Sequence, residues 1–504
     1  MGRKKRNRYL LLLGASFLLS LAFAPYNLGF ISYVALIPLF EFIENNSPKK
    51  AFLVSWGFGA FFSMFLLWWL AFLDFPLPQG LRFLLWTGVL VLFLYLGFFY
   101  GIFGYLIKRF SLWIAPFVIA GIEYIKELTD LGFPWGSLGY TQVKYPVFFQ
   151  LASVFGVGGV SSWIVLVNII LYKLYKTRDY KKWGIITGIV FAIPLVYGIV
   201  RLSFPLKKTL QIGIIQPNIP GDLKGTRRVY DSLTNAMFQQ ARRVKGVSLI
   251  VFPETGTLVD LTQDKRYRKR YMKLCEELDA SIIAGMPYWE YEGYRYVFYN
   301  TAVMVDKKGI RNIYKKIRLA PFGEMIPFDD KIPFLREIEL GGGHFGRGKK
   351  FTVFKLKKHG FGVLICFESI FPELSRNFVK KGADVLVNIT NDGWFRRTPG
   401  THQHAEIIIA RAVENGVSVI RVANNGPSFA VSPKGIIENP TGFFKIEETK
   451  TYVYKRIFAF FPSWGHFYRK ICGIGTGGVL LWALLLNFLR KKPKRKPRTR
   501  HRRR

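Results

Sequence analysis

Cysteine is scarce. Only Cys275, Cys366 and Cys472 occur in 504 residues, far apart from one another. That excludes a disulfide framework and any C-x-x-C zinc spacing. His402 and His404 form the one suggestive pair, but residues spaced i, i+2 do not share a helix face. No metal and no cofactor is expected. Acidic residues number 32 against 72 Lys and Arg, a formal net charge of +40. No internal repeat is present, and low complexity is confined to the C-terminal tail. The glycine-rich stretch "LGGGHFGRG" (340–348) lacks the G-K-[ST] ending of a phosphate loop and reads as a flexible loop or lid.

What the chain has in quantity is apolar sequence, 50% of its residues. Runs with few charges cover 9–24, 29–43, 51–74, 82–107, 112–125, 147–175, 183–204 and 471–489. Several reach the roughly 20 residues that cross a hydrocarbon core. The runs 29–43 and 112–125 are short and need support from neighbours. About eight transmembrane helices are therefore expected: seven in an N-terminal membrane domain over 1–204, and one over 471–489. Charges return between 205 and 470, which reads as a soluble domain placed before the last span. A polybasic tail, 490–504, closes the chain.

Loop charge orients these spans. "GRKKRNR", "SPKK" (47–50), "KR" (108–109), "KTRDYKK" (176–182) and the tail alternate with "PYNLG" and "FPLPQ", which carry no Lys or Arg. The positive-inside rule places both termini in the cytoplasm and residues 205–470 outside. An even number of spans requires the same. A cleaved signal peptide ending near Ala22-Phe23-Ala24 is the competing reading of the N-terminus, outweighed by the apolar sequence that follows at once. Next to a span, the basic tail suits anionic lipid head groups better than nucleic acid.

Within 205–470 strand-like runs alternate with amphipathic stretches. Strands are expected at 210–218, 248–255, 281–289, 383–392, 418–426 and 428–435. Hairpins are expected from 299 toward Lys316 and over 351–368, turning at His359-Gly360. Helices are expected near 226–244 and 264–278. This pattern predicts a layered α/β domain. The turn "SPKG" (432–435), with Lys434, is expected to be exposed.

Three side chains stand at strand edges: Glu254 in "FPET", Lys316 in "YKKIRLAPFGE" and Cys366 in "VLICFES". A carboxylate can take a thiol proton, an ammonium can stabilise an oxyanion, and a thiolate can attack a carbonyl. Taken singly, each also suits a capped loop, a solvated surface and a core filler. Lys316 is expected at the mouth of such a site rather than in a core.

These motifs, with "NDGWF" (391–395), "HQHAEIIIARAVENG" (402–416) and "RVANNGPS" (421–428), resemble the Glu-Lys-Cys nitrilase superfamily. "LAFAPYNLGFIS" (21–32) and "LGFPWGSLGYTQ" (131–142) bring the resemblance closest to the apolipoprotein N-acyltransferase family, over nearly the whole chain except the tail. It implies a nitrilase-like αββα sandwich inserted in a polytopic helical membrane domain. By the same likeness Glu254 is the general base, Lys316 the oxyanion stabiliser and Cys366 the nucleophile. Glu324, Glu368 and Asn300 are supporting residues, and the backbone N–H of Phe367 is a second oxyanion donor. Phe133, Trp135, Trp394 and Phe395 are candidates to line an acyl route, with packing or interfacial anchoring as the alternative.

The implied partners are a phospholipid acyl donor, a diacylglyceryl-modified apolipoprotein acceptor and membrane lipids, without nucleic acid. The implied location is the bacterial cytoplasmic (inner) membrane, with the catalytic domain on the periplasmic side. Phe367 stands where many members have Tyr, and Gly225 where many have Trp. A membrane-tethered amidase that passes its thioester to water is the rival reading, and a non-enzymatic transporter or scaffold a more distant one.

Overall fold

The computed structural model describes residues 3–74, 82–293, 295–329, 331–332 and 344–490. The "FPLPQ" loop, Gly341 to Gly343 of the glycine-rich stretch and the tail beyond 490 lie outside the described residues.

The N-terminal part is helical: α1 (Arg3–Ser20), α2 (Ile37–Glu44), α3 (Pro48–Leu67), α4 (Arg82–Arg109), α5 (Ala115–Ile125), α6 (Pro146–Phe149), α7 (Ala152–Thr177) and α8 (Tyr180–Ser203). Among the described residues, five helical segments are long and apolar enough to cross a membrane: Pro48–Phe72, Arg82–Arg109, Ala152–Thr177, Tyr180–Ser203 and Phe461–Leu489. The count of about eight is not confirmed. The run 29–43 breaks into a 3-10 turn, Gly29–Tyr33, and the eight-residue α2. The run 112–125 is one short apolar helix, a 3-10 turn over Leu112–Ile114 continued by α5, too short to count among the five. Helix α1 begins with "RKKRNR", which leaves too little uncharged length. Helix α7 kinks at Gly156, whose φ of +70° is a conformation glycine tolerates.

One end of the helical body gathers charge. Lys173 and Lys176 at the end of α7 pair with Glu44 and Glu41 of α2 at 2.9 and 2.8 Å. Lys108 at the end of α4 donates to the Glu44 carbonyl.

A two-sheet sandwich follows. The first sheet has the order β12-β1-β2-β3-β4-β5. Its strands are β1 (Lys208–Gln216), β2 (Leu249–Val251), β3 (Ser281–Glu292), β4 (Arg295–Asp306), β5 (Gly309–Lys315) and β12 (Glu447–Tyr454). The second has the order β11-β10-β9-β8-β7-β6, with β6 (Val353–Leu356), β7 (His359–Ile365), β8 (Val385–Thr390), β9 (Ser418–Ala423), β10 (Phe429–Val431) and β11 (Ile437–Glu438). Strands β1, β2 and β3 run parallel, as do β7, β8 and β9.

Alternation explains the layers. Leu249, Val251 and Ile283 face the second sheet, whereas Ile250, Ile282 and Ala284 face α9 (Tyr230–Arg243) and α10 (Lys265–Leu278). Helices α11 (Pro372–Lys380) and α12 (Pro399–Asn415) cover the second sheet, completing an αββα sandwich. The second hairpin turns at Lys357-Lys358, two residues before the expected position.

The sandwich rests on the helical body. Gln403 of α12 donates to the carbonyls of Ala24 and Leu66 and accepts from Trp69 and Trp135. Chain Phe461–Gly465 leads into α13 (His466–Arg490), where Arg469 pairs with Glu127, both buried. Lys434 departs from expectation: it is buried at 9% exposure, and its ammonium caps the carbonyls of Leu202 and Phe204 at the end of α8.

Candidate active site

Chain segments leaving the carboxyl ends of β2, β5, β7 and β8 converge on one place, where open α/β sheets form crevices. Glu254 follows β2 and is buried. Its Oε1 accepts from Asn300 Nδ2 at 2.7 Å, and its Oε2 from the Asn391 backbone N–H at 2.9 Å. Asn300 Nδ2 also donates to Glu324 Oε1 at 2.9 Å. Glu324 receives the Lys316 ammonium at 2.8 Å and the Ala320 N–H at 2.8 Å. Glu254, Asn300, Glu324 and Lys316 thus form one hydrogen-bonded chain.

Lys316 is not at a mouth. It is 1% exposed. Burial pulls its ammonium down, but Glu324, Glu254 and Cys366 outweigh it, so the group stays charged with its pKa raised.

Cys366 ends β7 with a φ of +50°, a left-handed turn that only strong surroundings impose on a side chain with a Cβ. Of the three cysteines it is the one whose surface is only partly buried. Burial and the Glu254 carboxylate push its thiol up to about 12, against the pull of Lys316 and a hydrogen bond from Thr390. The resting sulfur is protonated. Burial likewise raises Glu254, with Lys316 opposing and Glu324 adding to the rise.

Glu368 explains how the turn is held. Its Oε1 accepts from Tyr314 Oη at 2.8 Å and from the N–H groups of Ile317 and Arg318 at 2.7 and 3.0 Å. Its Oε2 accepts from the Ile365 N–H at 2.9 Å. One buried carboxylate therefore ties the chain after Lys316 to the strand end before Cys366.

The aromatic candidates sit beside the thiol turn. Phe133 stacks on Trp135 and on Phe367, at centroid distances of 5.7 and 6.4 Å. Trp135 meets Phe395 edge-on, and Trp69 packs against both. Trp394 is exposed, and its carbonyl accepts from the Asp74 N–H.

Sequence reasoning missed a second buried network. His404 lies 3.0 Å from Asp392, and Arg421 bonds Asp392 at 2.5 Å. The other ring nitrogen of His404 is 3.1 Å from Ser369 Oγ and 3.3 Å from the Cys366 carbonyl. Burial raises the Asp392 carboxyl, but Arg421 and His404 outweigh it and hold it at about 2. The available signal was Arg421 itself, a charge inside the otherwise apolar strand "SVIRVA", which demands a buried partner. Lys224 was also missed; its Nζ donates to Thr255 Oγ1 at 3.0 Å, next to Glu254. Among the described residues no cluster of His, Cys, Asp and Glu suits a metal ion.

A nitrilase-type αββα sandwich with this strand-end constellation, seated on apolar helices, defines a membrane-associated enzyme of the carbon–nitrogen hydrolase class. Residues 211–447 match the carbon-nitrogen hydrolase family, and residues 15–170 the apolipoprotein N-acyltransferase N-terminal domain. The apolipoprotein N-acyltransferase of Geobacter metallireducens is 31% identical over 87% of this chain and 88% of its own. That of Aquifex aeolicus is 30% identical over 84% and 93%. An amidase from Nesterenkonia sp. AN1 covers 53% of this chain and 98% of its own, at 18% identity and a TM-score of 0.39. The chain belongs to the apolipoprotein N-acyltransferase family.

Proposed function

We propose that this enzyme moves an acyl chain from a phospholipid, through a thioester on Cys366, to the N-terminal amine of a diacylglyceryl-cysteine on an apolipoprotein. The observation that carries this is the placement of the least buried cysteine, on a left-handed turn, between the electrostatic reach of Glu254 and Lys316 and beside aromatics of the helical body.

In the first half the thiol proton passes to Glu254 as sulfur attacks the ester carbonyl. The oxyanion forms near Lys316 and the Phe367 backbone N–H. The carbon–oxygen bond breaks, and Glu254 returns the proton to the departing lysophospholipid. In the second half the neutral amine attacks the thioester and gives its proton to Glu254. The carbon–sulfur bond breaks, the proton returns to sulfur, and an amide is released. Asn300 and Glu324 orient Glu254 and Lys316, and Glu368 orients the thiol turn. Phe133, Trp135, Trp394 and Phe395 flank the acyl route.

The domain reading belongs here as well: a membrane part over 1–204, an extracytoplasmic catalytic part over 205–470, a span within 471–489 and a basic tail. Lys108, Lys173 and Lys176, gathered at one end of the helices, support a cytoplasmic side there and a catalytic domain at the periplasmic face of the inner membrane.

Incubation with phospholipid is expected to add one acyl mass to the wild-type protein and none to Cys366→Ser. A serine hydroxyl has too high a pKa for a carboxylate to ionise it usefully. Equal adducts on both would remove Cys366 from the mechanism. With both substrates varied, parallel double-reciprocal lines are expected of a single-thiol relay. Release of free fatty acid at the same rate with and without a lipopeptide amine would favour the hydrolase instead.

A further inference from the structure

Lys224 takes no part in the steps above, yet it stands beside them. It lies in the short turn Asp222–Gly225 after β1. The turn is closed by the Lys224 N–H on the Gly221 carbonyl and by Tyr230 Oη on the Lys224 carbonyl. The ammonium reaches Thr255, whose hydroxyl donates in turn to the Glu254 carbonyl at 2.6 Å. Among the described residues this is its only hydrogen bond, and it forms no ion pair. An ammonium has three donors, so two are left for a ligand. The side chain is half-buried, which depresses its pKa to about 8 with Glu254 opposing. Arg227 and Arg228, exposed on the next turn, make the same rim basic.

Glu254 does not need this cation. Its two oxygens are already engaged by Asn300 and Asn391, and Lys316 supplies the nearby positive charge. The donor half of the reaction, by contrast, brings an anion to this place. In a phospholipid the glycerol unit alone separates the scissile ester from the phosphodiester. The acceptor lipid has no phosphate, and its amine, when protonated, is repelled by an ammonium.

We propose that Lys224 binds the phosphodiester of the acyl donor and so selects phospholipid over neutral glycerolipid esters, an inference that rests on the acyl-transfer reading above.

The test compares two donors that share acyl chains and glycerol, dipalmitoylphosphatidylglycerol and dipalmitoylglycerol, in the same detergent micelles. Acylation of Cys366 is followed by intact-protein mass in the full-length wild type, Lys224→Met and Lys224→Arg. The quantity read is the ratio of the phospholipid rate to the neutral-donor rate. Lys224→Met is expected to lower it by about ten- to a hundredfold, the range of one charge-assisted hydrogen bond. Lys224→Arg, which keeps the charge, is expected to retain most of it. Equal loss with both donors would mean that Lys224 acts through Glu254 or the fold, and would overturn the proposal; so would an unchanged ratio. Absence of any adduct on the wild type would remove the acyl-transfer reading itself, and this inference with it.

Discussion

At the scale of single residues, the proposed nucleophile Cys366 rests as a neutral thiol. Cys366 is pushed to about 12, chiefly by burial, and burial also raises Glu254 above its ordinary value. Glu254 must be ionised to accept the thiol proton. Because its folded-state pKa lies above the ordinary glutamate value of about 4.3, acylation should fall as pH drops through a point above that value. A profile of Cys366 acylation rate against pH checks this. An acid limb at or below the ordinary value would contradict the assignment of Glu254. Lys316 corrects a sequence expectation for a related reason. A buried ammonium between two carboxylates stabilises the fold as well as an oxyanion, so its removal leaves uncompensated charge and costs about 3–5 kcal/mol. Loss of activity in Lys316→Ala therefore has two sources.

At the scale of elements, the strand ends matter more than the strands. Glu368 takes four hydrogen bonds and links the exit of β5 to the exit of β7. Gln in its place offers one acceptor oxygen and sets an amide donor against the Ile365 N–H or the Ile317 and Arg318 N–H groups. Glu368→Gln should lose about 1.5–3 kcal/mol of stability and slow acylation, because the Cys366 turn loses its anchor. Thermal unfolding in detergent together with the rate of adduct formation measures both. Unchanged stability and rate would show that the turn is held by other means. The Asp392, His404 and Arg421 network grips the same turn from the other side, through Ser369 and the Cys366 carbonyl.

At the scale of the whole molecule, the αββα sandwich is fixed to the helices by buried polar contacts. Gln403 bridges Ala24, Leu66, Trp69 and Trp135, and Arg469 meets Glu127. The sandwich and the basic helix ends follow from the proposed topology as opposite faces of the membrane. Lys434 would be a poor reporter of this, being buried against α8. Lys308, exposed in the β4–β5 turn, is suitable. In a Cys366→Ala background, Lys308→Cys should react with a membrane-impermeant maleimide on intact spheroplasts. Reaction only after lysis would place the sandwich in the cytoplasm.

The sequence by itself determined the division into apolar helices and an alternating α/β region, because hydrophobic period and run length are local properties. Most strands and two of the four helices that cover the sandwich, α9 and α10, were legible for that reason, as were the three side chains at strand ends. Run length overstated the number of long helices, since 29–43 breaks into a turn and a short helix and 112–125 is helical but only fourteen residues long. Only the tertiary structure decided that Glu254, Asn300, Glu324 and Lys316 form one chain, that Lys316 is buried, that Asp392, His404 and Arg421 stand near Cys366, and that Lys224 stands near Glu254. Those relations join residues far apart in sequence through strand order and sheet packing, and no spacing along the chain encodes a distance across two sheets.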